Sequence, residues 1–113
     1  SSAMGKAVLA MMSESEVDSY LETNELKPFT VNTITNPLKL KQELSEIRAS
    51  GIAFDNEEME KDIFCIGTAL MNKGQIVGAM SISLPKFRVT NSYQEKVIQA
   101  ILEAKADIEK ELK

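Results

Sequence analysis

The chain has 113 residues, 43% of them hydrophobic, with thirteen basic side chains against seventeen acidic ones and a net charge of −4. That is enough for one domain burying roughly two thirds of its unfolded surface, and no run approaches the ~18 apolar residues of a membrane span. The acidic balance opposes phosphate-backbone binding, while no histidine and one cysteine, Cys65, close the commonest nucleophilic pairs, Cys/His zinc sites and any internal disulfide.

Residues 3–12 (AMGKAVLAMM) are rich in Ala, Met and Leu and predict a helix that starts too early for visible N-terminal support. Ser13-Glu14-Ser15-Glu16 is a capping box, in which Ser13 bonds the backbone of Glu16 and Glu16 reaches back. It opens a second helix with Val17, Tyr20 and Leu21 on one face, ended by Asn24 and Pro28. Residues 28–35 (PFTVNTIT) read as extended or irregular. Asn36-Pro37 then starts a third helix, a capping side chain followed by proline at the first helical position. Leu40, Leu44 and Ile47 form its buried stripe, Gly51 its left-handed stop, and Arg48 suits the negative end of its dipole.

Ile52-Ala53-Phe54 predicts a short strand, and the acidic segment 55–62 a solvated loop. Residues 63–71 and 75–84 are two strands, with Asn72-Lys73-Gly74 as a three-residue hairpin loop. Thr90 caps the last helix, whose stripe is Val97, Ile101, Ala104, Ile108 and Leu112; Lys105, Lys110 and Lys113 complement its C-terminal end. Three helices, three strands and a helix predict an antiparallel α+β domain. Three strands make a thin sheet with an unpaired edge, so the chain reads as beginning inside a domain whose remaining strands lie elsewhere.

With a three-residue loop, Cys65 faces Ser81 and Ile63 faces Ser83, all on one side of the hairpin. The opposite side carries Phe64, Ile66, Leu70, Ile76, Met80 and Ile82 and is a packing face. The Cys65/Ser81/Ser83 side is small and mildly polar, with Gly67, Ala69 and Ala79 beside it, and leaves space for something the strands do not supply. Each of these residues alone reads as ordinary core or surface. Together with Asp55 they read as polar groups aimed into an apolar space, which suits a small-molecule pocket. The acidic segment lacks the glycine of a calcium loop, so no metal site is expected. Met4-Gly5-Lys6-Ala7 is no phosphate loop, and Lys6 reads as a surface charge. The free amides near Ala3 and Met4 could still hold an anion.

The ordered set AMGKAVLA, SESEVDSYL, TVNTIT with TNPLKLKQELSEIRASGIAFDNEE, Cys65 and SISLP resembles the effector-binding domain of IclR-family transcriptional regulators over essentially the whole chain. The resemblance implies a GAF-like fold, with helices flanking an antiparallel sheet that lacks its N-terminal strands in residues 1–113. These residues would be the C-terminal two thirds of that domain, without the DNA-binding winged helix-turn-helix. The implied effector-binding residues are Ala3 and Met4 through their amides, Asp55 as acceptor, Ile63 as an apolar wall, and Cys65, Ser81 and Ser83 as the floor. Asn56 stands where a second aspartate is common and Leu84 where glycine often precedes the proline.

The reading is therefore a ligand-sensing regulatory module, not an enzyme, needing no cofactor and no metal. Its expected partners are a small carboxylate effector and further copies of itself in a dimer or tetramer. DNA would be reached only through an N-terminal domain, and no membrane is involved. One cysteine and no leader-like start fit the cytoplasm. The alternatives are a ligand-free oligomerisation module, or a cysteine-dependent enzyme that would have to work without histidine.

Overall fold

A computed structural model describes residues 2–24 and 26–112, so Lys113 lies outside the described residues. Four α-helices and three strands run in the order α1 (Ala3–Met11), α2 (Glu14–Thr23), α3 (Pro37–Ser50), β1 (Ala53–Asn56), β2 (Ile63–Asn72), β3 (Gln75–Pro85) and α4 (Asn91–Glu111). The α+β class and element order match the sequence reading, because the local start and stop signals act as expected. Ser13 Oγ accepts from Glu16 N at 3.2 Å while Glu16 returns the bond to Ser13 N at 3.1 Å. That return bond holds the Glu16 carboxyl below the usual carboxylate range. Asn36 Oδ1 accepts from Leu38 N at 2.9 Å, Gly51 ends α3 at φ 80°, and Thr90 caps α4.

Several local expectations fail. α1 does have N-terminal support: Ser2 is its N-cap and accepts from Gly5 N at 3.0 Å. Tyr20 is exposed, leaving Val17 as the buried residue of α2. Arg48 stands in the last turn of α3 as expected, but its hydrogen bonds go to another helix: its Nε donates 2.8 Å to the Ala10 carbonyl and its guanidinium also reaches Met12 O, closing the end of α1. Ile108 and Leu112 are exposed, so only the first half of the α4 stripe is covered.

The sheet is antiparallel with order β1-β2-β3. Its hairpin turn has two residues, Lys73 and Gly74, between the paired Asn72 and Gln75. Both have positive φ, 51° and 77°, the twist-matched geometry of a tight hairpin. A two-residue turn alone would throw Cys65 and the serines onto opposite faces. A bulge between Leu70 and Met71 restores the parity by leaving Val77 over. Cys65 therefore faces Ser83, not Ser81; Ser81 faces Gly67, and Ile63 faces Pro85. On the Cys65 side of the bulge the strand faces are as expected while the partners move by two residues; beyond it Ile76 pairs with Met71 and leaves the face expected for it.

α4 packs on one face, where Phe64, Ile66, Leu84 and Ile52 meet Val97 and Ile101. It also serves the bulge: Glu109 accepts from Met71 N at 2.6 Å, and Lys105 donates to the Ala69 carbonyl at 2.7 Å. α1 lies on the other face, placing Ala7 and Ala10 with Ala53, Ala69 and the Leu40, Leu44, Ile47 stripe of α3. Ala3, Ala7 and Ala10, at helical spacing, let α1 approach the strands closely.

Candidate functional site

Beside the first turn of α1 a cleft of about 250 Å³ opens against the strands. Its lining includes Ala3, Met4, Asp55, Ile63, Cys65, Ser81 and Ser83, the seven residues singled out from the sequence. Strand pairing explains the convergence. Asp55, Cys65 and Ser83 form one row across the three strands, and Ala53, Gly67 and Ser81 form the next. Cys65 Sγ and Ser83 Oγ are 3.2 Å apart and satisfy each other. At the helix end, Ser2 O accepts from Lys6 N at 2.9 Å and Ser2 Oγ from Gly5 N. The amides of Ala3 and Met4 keep no acceptor among the described residues, as the first turn of a helix dictates. One end of the cleft therefore offers backbone donors at the positive end of a helix dipole, and the floor offers a thiol and hydroxyls.

Asp55 is less free than the sequence suggests. It belongs to β1, is 3% exposed, and its Oδ1 accepts from Glu58 N at 2.7 Å and Met59 N at 3.3 Å. The carboxylate thus folds the following loop back on itself, bringing Met59 and Glu60 to the cleft. The loop is not simply solvated, because Glu58 is 5% exposed.

Lys6 is the largest correction: it is fully buried, and its Nζ donates to Glu58 Oε2 at 2.7 Å and Glu43 Oε1 at 3.0 Å. Burial pushes the Glu58 carboxyl above the usual carboxylate range, against the opposing pull of Lys6. Glu58 Oε1 and Glu43 Oε2 are buried without a hydrogen-bond partner among the described residues, consistent with that cost. Thr30 and Thr33 hydroxyls donate to the Glu57 and Glu58 carbonyls, pinning the segment before α3 to the same loop. A lysine in a short helix gives no sequence sign of burial; its partners are 37 and 52 positions away.

A wider, open groove of about 660 Å³ runs beside α3, lined by Thr33, Asn36, Lys39, Glu43, Glu46 and Glu58 among others. It shares no residue with the cleft, and Lys6 already bridges two of its carboxylates. The sequence reading missed Ser2, Met59 and Glu60 as cleft residues. Ser2 carried a signal, a serine directly before a helix; Met59 and Glu60 carried none, since the Asp55 turn places them. No cluster of potential metal ligands occurs among the described residues.

The family described as bacterial transcriptional regulator IclR C-terminal matches residues 1–110. The chain belongs to this family. The IclR-type chain is similar to the DNA-binding transcriptional repressor YiaJ of Escherichia coli, 36% identical over 114 aligned residues, covering 98% of this chain and 40% of YiaJ. It is also similar to the solved C-terminal domain of the E. coli regulator KdgR, with a TM-score of 0.90 and 32% identity. That match covers 96% of this chain and 67% of the KdgR domain. The PobR inducer-binding domain from Acinetobacter shares the fold, with a TM-score of 0.84 at 23% identity over 94% of this chain and 61% of that one. The relatives are transcriptional regulators rather than enzymes. This IclR-type chain spans about 40% of the length of the curated relatives it matches.

Proposed function

We propose that the chain is the ligand-sensing part of a bacterial transcription regulator, and that the cleft beneath α1 receives a small organic acid. The carrying observation is the pairing of two backbone amides, with no acceptor among the described residues, with the Cys65/Ser81/Ser83 floor across a space of about 250 Å³. The amides suit a carboxylate and the hydroxyls suit an oxo or hydroxyl group further along the ligand. The PobR inducer-binding domain, which shares the fold, is known as a double mutant in complex with 3-hydroxybenzoic acid.

In this reading, residues 1–113 correspond to about the C-terminal two thirds of an effector domain. DNA contact belongs to a winged helix-turn-helix elsewhere in the full-length regulator, which acts in the cytoplasm. The effector would favour one arrangement of a dimer or tetramer over another, shifting DNA affinity by its differential binding. Exposed Leu38 and Phe87 are available for subunit contacts. No catalytic step, cofactor or metal is needed.

A thermal-shift titration with carboxylic, keto and aromatic acids, 3-hydroxybenzoate included, tests this. A saturable rise in melting temperature that disappears in Ser81→Val, with the apo melting temperature little changed, is the expected outcome. A response that persists in Ser81→Val places the ligand outside the cleft. Ser81 is the better probe because Asp55 is committed to its loop.

A further inference from the structure

We infer that Gly67 sets the span of the cleft, and so the chain length of the acid it accepts; this rests on the reading of the cleft as an acid site. Gly67 is buried in the middle strand, between Ala53 and Ser81. A Cβ built there would lie 2.9 Å from Ala3 C, 3.0 Å from Ala3 Cβ and 3.0 Å from Met4 N. Two of these three atoms are backbone of the first turn of α1, which cannot swing aside as a side-chain tip can. Gly51 and Gly74 differ: each has positive φ and open space around it, so they serve turns. At Gly67 the residue type is required by contact distance alone.

The consequence falls on the cleft because the atoms in contact belong to the residues that carry its free amides. Ala3 and Met4 rest on Gly67, one pair away from the Cys65–Ser83 row. The bare backbone at 67 thus fixes how far the donor end stands from the floor. Arg48 holds the other end of α1 through the Ala10 and Met12 carbonyls, and Lys6 holds its middle. A side chain at 67 therefore lifts the N-terminal turn and lengthens the space beneath it. The cleft's volume of about 250 Å³ falls just under the range of roughly 300–1,000 Å³ for drug-sized ligands. The acid selected by Gly67 is accordingly a short one.

Gly67→Ala tests this with two readouts. The first needs no ligand: alkylation of Cys65, the chain's single cysteine, by iodoacetamide. Its rate rises several-fold in the variant if the first turn lifts away from the floor. The second is the affinity series from acetate to hexanoate, followed by NMR shifts in both proteins. The optimum moves to an acid at least one carbon longer in Gly67→Ala. If that variant does not fold, Gly67→Ala combined with Ala3→Gly removes one of the three contacts and leaves the two backbone ones. An unchanged alkylation rate in a folded variant overturns the inference, as does an unchanged optimum when acids bind. Faster alkylation with no acid bound by either protein upholds Gly67 as the spacer and overturns the acid reading of the cleft.

Discussion

The two faces of the sheet are built from alternate residues of the same strands, yet they solve opposite problems. Toward α4 the strands present Phe64, Ile66 and Leu84, which close against Val97 and Ile101. Toward α1 they present Ala53, Gly67, Ala69 and Ser81, and the helix answers with alanines. Large residues fill the middle of the first gap. Small residues bring the second helix close but leave its end open, with polar groups around the opening. The difference shows that a cleft can be built by choosing side-chain size along one strand face, while the opposite face supplies the stability.

Lys6→Met should break this comparison most severely, since it removes the cation between two carboxylates on the α1 side. Loss of one partner of a buried pair costs about 3–5 kcal/mol, measurable by urea unfolding. A loss below about 1 kcal/mol would mean that solvent reaches the Glu58 carboxylate and that the triad is not buried in solution.

Ile66→Ala, on the closed face, should cost about 2–5 kcal/mol through lost burial and a cavity. Iodoacetamide should alkylate Cys65 at the wild-type rate in this variant. A faster rate would show that the two faces are mechanically coupled, contrary to the division drawn here.

The smallest effect is the pH dependence carried by Glu58. Its folded-state pKa is raised above the ordinary value by burial, so the native state takes up the proton first as pH falls. The associated stability is fully present below the ordinary carboxylate value of about 4.5 and is lost as pH rises through the folded value. The stability difference between wild type and Glu58→Gln should therefore shift in favour of wild type on acidification from neutrality. Chemical unfolding at a series of pH values reads that difference, and a shift of opposite sign would mean that the Lys6 pairing outweighs burial.

Much of the architecture was legible because it is local. The capping box at Ser13, the Asn36-Pro37 start, Gly51 and the Leu40, Leu44, Ile47 stripe each act within a few residues, and the structure contains all of them. Alternation puts Ser81 with Ser83, but their grouping with Cys65 assumes a three-residue turn, and Asp55 reads as part of a loop. The exact pairing was not legible. A two-residue turn and a bulge each shift the register by one, and their combination restored the faces on the Cys65 side of the bulge while exchanging the partners.

By itself, then, the sequence determined the elements, the α+β class, the resemblance to IclR-type regulators and the alternation within each strand. Those properties depend on short-range sterics, backbone hydrogen bonds and side-chain period. Only the tertiary structure decided that Lys6 is buried, that Arg48 closes a different helix, and that Asp55 spends an oxygen on its own loop. It also decided that Gly67 is a point of contact rather than a turn. Partners that lie far apart in the chain are chosen by packing, and a charge or a missing Cβ takes its meaning from what packing brings against it.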